Sequence, residues 1–177
     1  RSNDDWRGAS AGFKFERMLS RGTLMLNGGV SRTRADDQLF TFQLSPQTGM
    51  PFERFENVRE HADSDHLLAR WENVDDDGSE DSLQMYLEHA RFNHSFIKQS
   101  RATADIEYQS RIRFGERHDL TWGVGYRHHR DRIDGSFHIN VDKRRSSTSL
   151  YSVFVQDEIT LQPERWRVIV GARLEHN

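Results

Sequence analysis

From 102 to 114, apolar side chains take every second position. Ala102, Ala104, Ile106, Tyr108, Ile112 and Phe114 share one parity, with Ser110 the one polar member, and Thr103, Asp105, Glu107, Gln109, Arg111 and Arg113 share the other. Wound as a helix, this segment would scatter charge all round. Extended, it has one apolar and one charged face. The pattern recurs. Leu120, Trp122, Val124 and Tyr126 alternate with Thr121, Gly123, Gly125 and Arg127. Trp166, Val168, Val170, Ala172 and Leu174 alternate with Arg167, Ile169, Gly171, Arg173 and Glu175. Ala9, Ala11, Phe13 and Phe15 open the chain in the same way, followed by Leu24, Leu26, Gly28 and Val30, by Leu67, Ala69 and Trp71, and by Leu83, Met85 and Leu87. A last strand runs through Tyr151, Val153 and Val155, with Asp157 on their face unless a bulge intervenes. The alternation predicts eight strands.

The connections alternate too. Short polar turns are expected near 18–22, 75–80, 115–118 and 162–165, with longer excursions at 35–65 and 131–147 and a brief one at 94–99. Short turns on one side and long loops on the other describe an outer-membrane barrel, with the short turns periplasmic. Phe15, Trp71, Phe114, Trp122 and Trp166 lie close to the short turns, and Tyr126 and Tyr151 nearer the long-loop side. Two aromatic girdles are expected of such a barrel, although aromatics are also common in strands generally.

A mean hydropathy of -0.87 argues against a helical membrane protein. The best apolar run, Val168 to Ala172, is a quarter of the ~20 residues a spanning helix needs. It does not argue against a barrel, whose strands show lipid only at alternate positions. The absence of cysteine excludes a disulfide scaffold, a cysteine-type zinc site and a cysteine nucleophile. A balance of 25 basic against 28 acidic residues gives no global field for nucleic acid. The chain starts without Met, lacks an apolar leader and ends inside an apparent strand, so it reads as a fragment cut at both ends.

A soluble sandwich can show the same alternation. The barrel is favoured by the long apolar faces, by the alternating connection lengths and by full charges of both signs on the opposite face. Asp105, Glu107, Arg111 and Arg113 would be hard to bury in a small packed interior unless paired. A wide lumen leaves them hydrated or facing a plug.

Specific residues carry a family resemblance. Leu150-Tyr151-Ser152-Val153-Phe154-Val155-Gln156-Asp157-Glu158-Ile159-Thr160-Leu161, then Pro163, Arg165-Trp166-Arg167 and Val170-Gly171-Ala172-Arg173-Leu174-Glu175-His176-Asn177, resembles the barrel of TonB-dependent outer-membrane receptors. There an F-x-Q-D-E-I strand is joined by a Pro-containing turn to a G-x-R-x-E/D-H strand. Gly115 to Arg127 resembles the tight turn leading into that family's G-x-G-Y-R strand. Leu68-Ala69-Arg70-Trp71 and Asp77 through Tyr86 resemble a neighbouring hairpin. The resemblance covers 66–177 well and 1–65 by strand pattern alone. It implies a barrel of about 22 strands closed by a plug, with energy delivered from the inner membrane through TonB. The plug and the TonB box lie N-terminal in the family and are absent from this chain.

Candidate sites follow from the same reading. The excursion at 35–65 holds Phe40, Phe42, Met50, Phe52, Arg54 and Phe55, and long loops with aromatics and arginine suit ligand capture as well as packing. His128, His129, Arg130 and Asp131 open the second excursion, with His138 across it. They suit an anionic ligand or a metal chelate at the outer mouth, or simply a hydrated loop base. Adjacent histidines on a strand point to opposite faces and make a poor chelating pair. Asn73 to Gly78 resembles the start of a calcium loop, but Asn stands first and Gln84 twelfth, so a hairpin turn is the stronger reading. Lys143-Arg144-Arg145 reads as a solvated turn or a contact to lipopolysaccharide phosphates. Gly123-Val124-Gly125 lacks the third glycine of a dinucleotide fingerprint and suits strand curvature or crowding. No catalytic triad or nucleophile motif stands out.

The sequence therefore predicts an all-β chain: residues 1–177 as part of an antiparallel transmembrane β-barrel of about eight up-and-down strands. The expected function is active import of a scarce nutrient such as a siderophore–iron complex. The expected partners are the TonB complex through the missing plug, a small-molecule or metal-chelate ligand, and outer-membrane lipid and lipopolysaccharide. Candidate ligand contacts are Phe52, Arg54, Phe55, His128, His129 and Arg130. No catalytic residue, metal, cofactor or nucleic-acid partner is expected. A passive porin, a soluble β-sandwich and a small outer-membrane enzyme are the alternatives. The sandwich would bury Val124, Val168 and Val170 in a core.

Overall fold

A computed structural model describes residues 5–135 and 144–177. They form one antiparallel sheet of eight strands in chain order. The strands are β1 (Asp5–Met18), β2 (Thr23–Leu44), β3 (Pro51–Val74), β4 (Glu80–His94), β5 (Ile97–Phe114), β6 (His118–Gly135), β7 (Arg145–Gln162) and β8 (Trp166–His176).

Register is what turns alternation into architecture, because a slip of one residue would send a strand's side chains to the wrong face. Each pairing keeps the apolar parity. Phe15 pairs with Leu26, Leu26 with Ala69, and Ala69 with Met85. Met85 continues to Ile106, Ile106 to Tyr126, and Tyr126 to Tyr151. One apolar face thus crosses all eight strands. The other face carries the charges.

The apolar band slips as it crosses. Val30, which ends the unbroken outer run Leu24, Leu26, Gly28, Val30 on β2, shares a row with Asp65, His89, Ala102 and Arg130. On β6 the band has already ended at Tyr126, two outer positions nearer the short turns. Strands tilted against a membrane plane require such a diagonal, because the plane then cuts each strand at a different residue. Among the described residues no hydrophobic side chain is buried, and Val124, Val168 and Val170 are 44%, 41% and 59% exposed. The core that a sandwich would need is not formed. No helix among the described residues is long and apolar enough to cross a membrane, which says nothing against a barrel.

The short turns fall where the sequence places them. In the 75–79 turn, Gly78 adopts φ 81 and its N–H donates to the Asp75 carbonyl. The Ser79 N–H donates to Asp77, holding that carboxyl below the usual carboxylate range. Asn73 donates to Asp75, so these residues close their own hairpin.

Two expectations need correction, and a third, open in the sequence, is decided. The excursion at 35–65 is no loop: β2 and β3 stay paired out to Leu44 and Pro51, leaving a tip of 45–50. The excursion at 131–147 shrinks similarly, with β6 continuing to Gly135 and β7 starting at Arg145; His138 and Lys143 lie outside the described residues. The register irregularity in β7 falls between Thr160 and Gln162, so it does not turn Asp157 away from the apolar face. There Asp157 pairs with Leu120 and Val170 across the ladder, and its Oδ2 lies 2.7 Å from His118 Nδ1 near the short turn.

Candidate functional site

The charged face is a ladder of cross-strand partners. Register sets Asp105 opposite Arg127, with Oδ2 and Nε 2.7 Å apart. Arg101 donates to Asp131 at 2.8 Å from the directly opposite position, and Gln99 donates to the same oxygen at 3.4 Å. Thr103 faces His129, with Oγ1 3.1 Å from Nδ1. Nearer the short turns, Arg111 donates to Asp119 at 2.7 Å and to Glu80 at 3.0 Å. Half-exposed pairs of this kind contribute little stability each. Their effect is a hydrated surface of alternating sign.

Toward the hairpin end, the same face carries a tighter group. His94 Nε2 lies 2.8 Å from Glu60 Oε1, off the direction of an aligned hydrogen bond. The Phe96 N–H donates to His94 Nδ1, and the His94 ring lies between Phe92 (6.0 Å, 24°) and Phe96 (5.5 Å, 37°). Sequence reasoning missed this group. The available signal was the Phe92, His94, Phe96 alternation running into the 95–96 turn, but Glu60 joins it only through the β3–β4 register.

The pleat divides the residues that sequence brought together. Phe55 packs at a tilt against Phe40 (5.3 Å, 55°), which meets Phe42 edge-on (4.9 Å), all on the parity of the apolar band. Arg54 and Phe52 take the other parity, where Arg54 donates to Gln43 at 3.0 Å and meets Glu56 at 3.3 Å. His128 and His129 also separate. His129 joins the charged face through Thr103, whereas His128 and Arg130 stand on the apolar face, His128 Nδ1 lying 3.0 Å from Ser149 Oγ. Phe52, Arg54 and His129 are therefore the predicted residues on the charged side.

A groove of about 850 Å³ lies chiefly along the apolar face from β1 to β6. Short side chains at Ala11, Gly28, Ala102 and Ala104 floor it, and His128 and Arg130 stand at its edge. Among the described residues no cluster of three or more potential metal ligands occurs.

Comparison with known proteins matches residues 2–177 to the family model described as TonB dependent receptor-like, beta-barrel. No curated protein matches the sequence. Among solved structures, the siderophore receptor PirA from Pseudomonas aeruginosa is similar, with a TM-score of 0.55 and 13% identity over 98% of this chain and 34% of that one. At that identity the likeness shows the fold. The chain spans about a third of the PirA chain's length.

Proposed function

Because this chain belongs to the TonB-dependent receptor-like β-barrel family, we propose that it forms part of the wall of an outer-membrane receptor that imports a scarce nutrient with energy supplied through TonB. A ferric siderophore is the cargo proposed first, since the fold matches a siderophore receptor. The reading rests on one observation above others: the register aligns an apolar face across all eight strands and a charged face behind it. The first face suits lipid and the second a wide aqueous lumen. Further strands and a plug would complete the barrel, and the plug would connect it to TonB.

In this reading the ligand is met first by the long β2–β3 hairpin, through Phe52 and Arg54 on one side and Phe55 on the other. It is then met by lumen-facing groups, among them His129 and the Glu60–His94 pair. His128 and Arg130 face away from that path. The test is uptake of radiolabelled ferric siderophore by a strain carrying the full-length protein as its one receptor, with and without functional TonB. Uptake lost without TonB is expected. Uptake that persists without TonB would identify a passive channel instead.

A further inference from the structure

On the outward face, three strands bring together an acid, a histidine and a serine. Asp65 on β3 stands directly opposite His89 on β4, with Oδ1 3.8 Å from Nδ1. On the other side of the ring, Nε2 lies 3.1 Å from Ser100 Oγ on β5. Local periodicity cannot show the group, because only the β3–β4 and β4–β5 registers join its members.

The tautomer is fixed by a fourth residue. Arg91 Nε donates to His89 Nε2 at 3.5 Å. A guanidinium has no lone pair to offer, so Nε2 must be the acceptor and the ring proton sits on Nδ1, toward Asp65. The bare Nε2 also faces the Ser100 hydroxyl. A general base for a serine nucleophile needs this order: acid at Nδ1, hydroxyl at Nε2. The Asp65 contact is longer than a hydrogen bond, as such contacts often are before substrate binds. Arg91, opposite Ser100 in the ladder, places a cation beside the hydroxyl, where a developing oxyanion would be stabilised.

Position supplies the second observation. Leu67 and Leu87 face each other in the apolar band, and the next outward row holds Asp65 and His89. The group thus stands where the band gives way to polar residues. In a bilayer, that depth holds the ester linkages between acyl chains and headgroups. The groove along the apolar face reaches Asp65 and His89 from below, and is lined there by Phe13, Leu67, Leu87 and Ala104. An acyl chain lying in it would bring its ester to the serine.

We propose that Ser100, His89 and Asp65 form an acyl-ester hydrolase site for glycerophospholipids of the outer leaflet. Ser100 Oγ bonds to the ester carbonyl carbon as its proton passes to Nε2. The bond from that carbon to the glycerol oxygen breaks, and the oxygen takes the proton. Water then repeats both steps on the acyl-serine, releasing fatty acid and restoring Ser100. Ser100 and His89 are the catalytic residues and Asp65 is a positioning residue. The inference rests on the membrane-spanning reading and is independent of the cargo.

The full-length protein, folded into phosphatidylglycerol vesicles, tests it in two ways. Peptide mass spectrometry after exposure to a long-chain fluorophosphonate should find the adduct on Ser100. Fatty acid should be released from the ester-linked lipid and not from its ether-linked analogue. Ser100→Ala and His89→Gln should each lower release at least about a hundredfold. Asp65→Asn should lower kcat about tenfold or more and leave KM unchanged. Ser149→Ala removes a serine that also meets a histidine, His128, and should release fatty acid like the parent. An unmodified Ser100 in the folded parent, or release by Ser100→Ala equal to the parent's, would overturn the site. Heat-modifiable mobility confirms that each variant is folded. A parent that imports cargo through TonB but leaves Ser100 unmodified would sink this site alone. A modified Ser100 with uptake independent of TonB would sink the transport reading alone.

Discussion

Gly123 and Phe154 face each other directly across β6 and β7. A Cβ at Gly123 would stand 2.4 Å from Phe154 Cε1 and 2.9 Å from the Tyr108 carbonyl oxygen, so the ring lies where a side chain would otherwise be. On the opposite face Phe13 covers Gly28 in the same way, with its Cε1 at 2.5 Å. Gly123, read in the sequence as easing curvature or crowding, is a seat for an aromatic ring, and so is Gly28. Gly123→Val should expel Phe154 and cost roughly 1–3 kcal/mol, the usual range for overpacking. Urea unfolding of the full-length protein in bilayers would measure it. A Phe154→Ala background should absorb most of that cost, and equal loss in both backgrounds would show that the ring is not what valine displaces. Asp157 is a second case settled at this scale. Its parity puts a carboxylate among Leu120, Val155 and Val170, and only the His118 ring, supplied by the register of the next strand, gives it a partner.

Within an element, adjacent residues of β4 test the assignment of faces. Met85 is central in its apolar set and Gln84 points to the lumen. Met85→Arg should destabilise the inserted barrel by about 2–4 kcal/mol, the cost of a cation on the lipid face near mid-depth. Gln84→Arg should stay within about 0.5 kcal/mol. Equilibrium unfolding in phospholipid vesicles compares the two, and similar costs would refute the facing. This contrast was legible in sequence because burial on one face alone writes a period of two. The outer half of the β2–β3 hairpin was not. Beyond the bilayer both of its faces meet water, so nothing forces alternation. The ladder is held instead by direct partners: Asp36 with Arg59, Gln38 with Asn57, Phe40 with Phe55. Such pairs stabilise a sheet through contacts between residues about 15 to 23 apart in the chain, and a reading of local periodicity does not see them. The same limit hid Glu60 from His94. It also grouped Arg54 with Phe55, because 35–65 reads as a loop in sequence; on a strand neighbours are opposites, as the sequence already showed for His128 and His129.

For the molecule as a whole, the sheet presents two open edges, β1 and β8, which pair with no third strand among the described residues. Each edge is a row of backbone donors and acceptors, and in hydrocarbon an unsatisfied group costs several kcal/mol. The apolar face adds exposed Leu87, Ile106, Val124, Val153 and Val168 with no layer to cover them. In a closed barrel both problems disappear together, since lipid covers the face and neighbouring strands take up the edges. The isolated 177-residue chain should therefore associate in buffer through its edges and its apolar face. Light scattering after gel filtration should show large species, and denaturant titration should give a broad, non-cooperative change. A compact monomer with a single sharp transition would mean that some packing other than lipid covers the apolar face. That outcome would count against the membrane-spanning reading more heavily than any single-residue result, because the lumen and the ligand path both depend on which face meets lipid.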